Sequence, residues 1–205
     1  MNSVHFGTAV TSLPVFDVLE DLKALLVSAD ELVLQAPPGA GKTTIVPLAL
    51  LGQPWLGKQT ILVLEPRRMA ARATAGRMAQ LLGEKVGQTV GYRIRLDSCI
   101  SRQTRIEVIT EGILTRRLQS DPSLEGVGLV IFDEFHERNL NSDLGLALTL
   151  QARELLREEQ ALKILVMSAT LDTKGVSKLL GDTQVLTSAG RQYPVQTVFG
   201  AAQTL

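Results

Sequence analysis

The 205-residue sequence has a single cysteine, Cys99, so it can form no internal disulfide. With only two histidines, it offers no Cys/His cluster for structural zinc. Aromatic residues make up only 4%, which leaves little for base-stacking platforms. No apolar stretch approaches about 18 residues, so no membrane-spanning helix is expected. The N-terminus lacks a basic region followed by an apolar run and a cleavage site, and no secretory signal is read there. A reducing, cytoplasmic setting is the simpler expectation. Internal repeats, low-complexity tracts and linkers are also missing.

What is present is ordinary globular material, 45% hydrophobic and 20% charged. That is enough to bury a full core without staples. Net charge is zero, with 21 basic and 21 acidic residues. The balance hides an asymmetry. Between Pro66 and Gln119 stand eleven basic residues: Arg67, Arg68, Arg72, Arg77, Lys85, Arg93, Arg95, Arg102, Arg105, Arg116 and Arg117. Four acidic residues oppose them, Glu84, Asp97, Glu107 and Glu111, leaving a surplus of seven. Ten of the eleven are arginine, whose planar fork grips phosphate in two places. Such a segment either holds a polyanion or forms solvated helix faces that never converge.

Short apolar runs alternate with helix-like stretches. Strands are expected at 31–36, 60–65, 89–94, 105–110, 128–133 and 162–168. Helices are expected at 14–28, 42–51, 70–82, 111–119, 141–159 and 173–180. Continuous apolar strands separated by helices imply an α/β fold, a mainly parallel sheet covered on both faces. Ligands of such sheets bind at the carboxyl ends of the strands. The residues after each apolar run therefore carry the chemistry.

After the first strand comes APPGAGKTT. Gly39, Gly41, Lys42 and Thr43 are spaced as in a phosphate-binding loop, where backbone N–H groups and a helix N-terminus face the phosphate. Lys42 would reach the β- and γ-phosphates, and the Thr43 hydroxyl would ligate magnesium. Ala36 stands where the strict pattern has its first glycine. GLVIFDEFHER puts two carboxylates at a strand tip, a costly pairing unless a cation sits there. Asp133 is suited to hold magnesium through water, and Glu134 to orient and deprotonate the attacking water. His136 could relay to another surface or be a hydrogen-bonded structural histidine. EPRRMAARA sets Arg67 and Arg68 at a helix start, suited to phosphodiester contact. TEGILTRR repeats the arrangement with Thr110, Gly112, Arg116 and Arg117. Ser168 and Thr170 of MSAT lie after a further strand and could hydrogen-bond to the acidic cluster.

In this order, APPGAGKTT, EPRRMAARA, TEGILTR, DEFHER and MSATLD resemble motifs I, Ia, Ib, II and III of the superfamily 2 DEAH-box RNA helicases. The resemblance covers about residues 12–196. It is nearest to the bacterial HrpB-type branch, where DEFHER replaces DEAHER; Phe135 marks that departure. VGYRIR and GRQYPV resemble further stretches of the family. The resemblance implies a RecA-like P-loop NTPase fold, a three-layer sandwich around a mainly parallel sheet. It implies residues 1–30 as a helical lead-in packed on the core and 31–190 as the ATP-binding domain. Residues 191–205 would begin the connection to a second RecA-like domain. ATP and Mg2+ are the implied cofactors, held by Pro38, Gly39, Ala40, Gly41, Lys42, Thr43, Thr44 and Asp133, with Glu134 and His136 among the catalytic residues. Arg77 aligns with an arginine that stacks on the nucleotide base. Arg67, Arg68 and Thr110 are implied in RNA backbone contact, and His136, Ser168 and Thr170 in coupling ATP to RNA. Single-stranded RNA is the implied partner, though phosphate contacts leave DNA open as the track. Motifs IV, V and VI and the arginine fingers belong to the second domain, so these residues alone are expected to be monomeric and slow in turnover. Two other classes stay in view, a P-loop ATPase that is no helicase and a nucleotide-sensing module.

Overall fold

The computed structural model describes residues 11–157, 162–169 and 173–190. Eight strands form one sheet: β1 (Glu31–Gln35), β2 (Thr60–Leu64), β3 (Val90–Ile94), β4 (Asp97–Cys99), β5 (Ile106–Ile109), β6 (Val127–Phe132), β7 (Lys163–Ser168) and β8 (Val185–Thr187). Their spatial order is β4-β3-β5-β2-β6-β7-β1-β8. Every described pairing is parallel except the β3–β4 hairpin. The helices are α1 (Leu19–Ser28), α2 (Lys42–Leu50), α3 (Arg68–Leu81), α4 (Glu111–Ser120), α5 (Leu140–Leu156) and α6 (Thr173–Leu179).

The strands are apolar throughout because both faces are covered. Alternate side chains of one strand enter different cores. Leu32, Leu34, Ile61, Val63, Leu129, Ile131, Leu165 and Met167 join a cluster with α1, α2 and α3. Val33, Leu62, Leu64, Val130, Phe132, Ile164 and Val166 join a second cluster with α4, α5 and α6. Two cores around one sheet make the three-layer RecA-like sandwich that the motifs implied.

Three local features differ from the sequence reading. The expected helix at 14–28 begins as a 3-10 turn over Pro14–Val18 and becomes α-helical only at Leu19. The turn is held from outside: the Val15 N–H donates to the Ala40 carbonyl of the glycine loop at 3.1 Å. The Ser188 hydroxyl donates to the Pro14 carbonyl at 2.9 Å. Strands β4 and β8, three residues each, had no apolar run to announce them; pairing with β3 and β1 creates them. None of the described helices is long and apolar enough to cross a membrane.

Candidate active site

Parallel register aligns the strand tips. Gln35 faces Ser168 across β1 and β7, Phe132 faces Val166 across β6 and β7, and Leu64 faces both Phe132 and Ile109. Along that edge of the sheet the motifs therefore stand in the order APPGAGKTT, MSA, DEFHER, EPRR, TEG. The glycine loop and the acidic loop are one strand apart, and the arginine-bearing loops follow beside them.

The glycine loop closes tightly. Gly39 and Gly41 have φ of +76° and +90°, a region that costs other residues dearly. Gly41 has a further need, since a Cβ there would lie 2.8 Å from Leu13 Cδ1. Ala36 does not disturb the turn. It is fully buried and extends the ladder, its N–H donating to the Ser168 carbonyl at 3.0 Å. Gly41 is the N-cap of α2, so the first free amides of that helix open onto the site.

Lys42 is 3% exposed, and its ammonium donates to Glu134 Oε1 at 2.9 Å. The Thr43 hydroxyl donates to Asp133 Oδ2. Asp133 Oδ1 accepts the Glu134 N–H at 2.8 Å, fixing the carboxylate from its other side. Burial pushes the Asp133 carboxyl above its ordinary pKa, against the opposing pull of Thr43 and Lys42. Glu134 has φ of +50°, a left-handed conformation that a non-glycine residue keeps only when its surroundings enforce it. The 3-10 turn Phe135–Glu137 follows at once, and Phe135 is 1% exposed.

His136 meets the MSA segment through the backbone. The Ala169 N–H donates to His136 Nδ1 at 3.3 Å. Glu134 Oε2 lies 3.4 Å from the same nitrogen. Ser168 is buried at the end of β7. Thr170 lies outside the described residues.

Sequence reasoning missed Glu65. It ends the β2 run beside Asp133, is 5% exposed, and accepts the Thr74 hydroxyl at 3.1 Å. Burial, then the Asp133 charge, raises its pKa from 4.5 to about 7. A polar residue closing an apolar strand was the available signal. Asp133 and Glu65 together put two buried carboxylates beside one buried ammonium. Such a site is short of positive charge and offers hard oxygen donors from Asp133 and Thr43. That donor set fits magnesium, which takes one or two carboxylates and completes its shell with water and phosphate. No group of three or more His, Cys, Asp or Glu suited to a metal occurs among the described residues, so an all-protein cage is not what these residues build.

The raised Glu65 pKa has a stability consequence. The folded state holds its proton between about pH 4.5 and 7 while the unfolded chain releases it. Stability on this account is full below 4.5 and falls as pH rises through 7, by on the order of 3 kcal/mol. Glu65→Gln is expected to remove that fall. Thermal midpoints of parent and variant should converge near pH 4.5 and separate in the variant's favour at pH 8. A difference that does not change with pH would contradict it.

The basic segment does converge, in part. Arg67, the N-cap of α3, is 73% exposed in its side chain and pairs with Glu137 at 2.9 Å. Arg68 is exposed beside it. Thr110 is the N-cap of α4, with no side-chain capping bond. Arg93, Arg95, Arg116 and Arg117 line one groove of about 840 Å3, together with Asp97, Glu107 and Asp121. Buried Glu107 accepts from Arg93 at 2.7 Å and from Arg117 at 3.3 Å. Other arginines go elsewhere: Arg105 donates to the Gly57 and Gln59 carbonyls at 2.8 and 3.1 Å, and Arg72 pairs with Asp97 at 3.4 Å. Arg77 is exposed, three residues beyond Thr74 on α3, and donates to Gln80 at 2.8 Å rather than to the glycine loop.

A family model described as DEAD/DEAH box helicase matches residues 19–179. The chain belongs to the DEAD/DEAH box helicase family. It is 52% identical to the ATP-dependent RNA helicase HrpB of Escherichia coli strain K12 over 187 residues, which is 91% of this chain and 23% of that protein. It is 36% identical to the ATP-dependent RNA helicase HrpA of Borreliella burgdorferi, covering 91% of this chain and 22% of that one. The crystal structure of the Escherichia coli DEAH/RHA helicase HrpB superposes with a TM-score of 0.85, covering 90% of this chain and 23% of that chain. The chain thus spans less than a quarter of the length of these relatives. As a member of this family it has the fold of an ATP-using enzyme domain.

Proposed function

We propose that this chain is the ATP-binding domain of an ATP-dependent RNA helicase that couples Mg-ATP hydrolysis to movement on single-stranded RNA. Residues 31–190 would form the domain, 1–30 its lead-in, and 191–205 the start of the connection to a second RecA-like domain in the full-length protein. The supporting observation is the joining of Lys42, Thr43, Asp133 and Glu134 from strand tips one strand apart, with the arginine-bearing tips next along the same edge.

Bound ATP would supply the transferable phosphoryl group, and magnesium would neutralise its charge. Thr43 and Asp133 would hold the metal, Asp133 through water. Backbone N–H groups of the loop after Pro38, which itself has none, would bind phosphate oxygens. Lys42 pairs with Glu134. A phosphate that draws Lys42 to itself frees the Glu134 carboxylate to orient water and take its proton. His136, tied to Ala169, would carry the state of that site toward the motif III strand. Arg67, Arg68 and Thr110, with the groove of Arg93, Arg95, Arg116 and Arg117, would hold the RNA backbone. Arg77 would reach the base only by leaving Gln80.

The reading is tested by titrating the natural full-length protein with single-stranded RNA at several salt concentrations. Binding should weaken with salt, and Arg67→Ala with Arg68→Ala should flatten the log–log slope by roughly 0.7 per arginine. A slope unchanged by the double variant would contradict the assignment of these arginines.

A further inference from the structure

Glu111 is a buried carboxylate that the chemistry above does not use. It is the first residue of α4, directly after Thr110, and is 8% exposed. Its Oε1 accepts the Asn139 Nδ2 donor at 2.7 Å and the buried Ser142 hydroxyl. Asn139 Nδ2 also donates to Ser142 Oγ at 3.1 Å. Asn139 in turn caps α5, its Oδ1 accepting the N–H groups of Asn141 and Ser142, each at 3.0 Å. Asn139 is the residue that follows DEFHER, and Arg138 before it has φ of +38°. One carboxylate therefore fastens the loop carrying Thr110 to the trailing end of the loop carrying Glu134 and His136.

A second tie joins the acidic loop to the other arginine tip, the Arg67–Glu137 pair. Its side chains are 73% and 37% exposed, and exposed pairs of this kind transmit little. In the Glu111 cluster Glu111 and Ser142 are buried and Asn139 is partly so, and charge-assisted bonds in such surroundings are the stronger ones. Below it the two helices fit closely: a Cβ at Gly145 of α5 would lie 3.3 Å from Leu114 Cδ2 of α4. Beginning at the Glu111 tie, α4 and α5 pack against each other.

We propose that Glu111 is a positioning residue which transmits nucleic-acid engagement at the Thr110 loop to the Glu134–His136 loop through Asn139 and Ser142. This rests on the helicase reading above. RNA backbone drawing on the N-terminus of α4 pulls Glu111, and Glu111 pulls the α5 cap that ends the acidic loop. Catalysis at Glu134 then responds to RNA without any RNA contact of its own.

The test is the ratio of RNA-stimulated to unstimulated ATP turnover in the natural full-length protein, for parent, Glu111→Gln, Ser142→Ala and Ser142→Thr. Thermal midpoint and fluorescent-nucleotide affinity are measured alongside. Glu111→Gln and Ser142→Ala are expected to lower the ratio by about fivefold or more, with nucleotide affinity within about twofold of the parent. Ser142→Thr keeps the hydroxyl and should keep the ratio. An unchanged ratio in both disabling variants overturns the proposal. So does a lowered ratio accompanied by an equal collapse of nucleotide affinity and midpoint, which marks a merely structural role. A parent that RNA does not stimulate overturns the helicase reading itself, and the parent measurement alone reports that. Should Glu111→Gln fail to fold, Ser142→Ala against Ser142→Thr decides the matter.

Discussion

Glu134→Gln is expected to slow ATP turnover by roughly 10²–10⁴-fold, the usual worth of a general base. Nucleotide binding should survive. The amide matches the carboxylate in shape and still offers an oxygen to Lys42, whose ammonium is 2.9 Å from Oε1. What it cannot do is accept a proton from water. Lys42→Ala should behave differently and lose affinity for nucleotide as well, since Lys42 is the cation of the loop. Turnover by Glu134→Gln within a few-fold of the parent would mean that another group takes the proton. Single-turnover kinetics with a separate binding measurement distinguishes these outcomes.

Phe135→Ala is expected to cost about 3–5 kcal/mol of stability. Phe135 is 1% exposed and meets Phe132 edge-on, with ring centroids 6.1 Å apart. The Arg138 guanidinium lies 5.6 Å from the Phe135 ring centre on the solvent side. The ring is thus the anchor that pulls the acidic loop into the core cluster it shares with Phe132. It also helps to enforce the left-handed Glu134 beside it, so the variant should lose turnover beyond what its folded fraction explains. Urea unfolding gives the first quantity and turnover per folded molecule the second. A loss below about 1 kcal/mol would show that the loop is held by its hydrogen bonds alone. The general DEAH signature has alanine here, and the bulk of Phe135 shows that this chain closes the space below the loop with a side chain.

The parallel core was legible because buried strands are continuous apolar runs. β1, β2, β6 and β7 begin and end within about a residue of the expected positions. The short edge strands β4 and β8 were not, because their pairing partners, rather than their own residues, decide them. The helix expected at 14–28 is helical throughout but α-helical only from Leu19, for a similar reason. Its first turn is bent by a hydrogen bond to Ala40, far along the chain. At the site, the motif residues announced themselves by order and spacing, and the geometry joins Lys42 to Glu134 and Thr43 to Asp133. What stayed hidden were partnerships between residues that no spacing rule connects. Glu65 with Thr74 and Asp133 is one, and Glu111 with Asn139 and Ser142 is another. The charge surplus located the basic segment but could not tell Arg93 and Arg116, which face a common groove, from Arg105, which is spent on backbone carbonyls.

The most direct measurement is ATP turnover by the natural full-length protein alone, with single-stranded RNA and with single-stranded DNA, with Glu134→Gln as the control. The account predicts that RNA raises turnover and that the variant abolishes it in every condition. Turnover that ignores both nucleic acids would contradict it, leaving the arginine groove a solvated surface beside an ATPase of another kind.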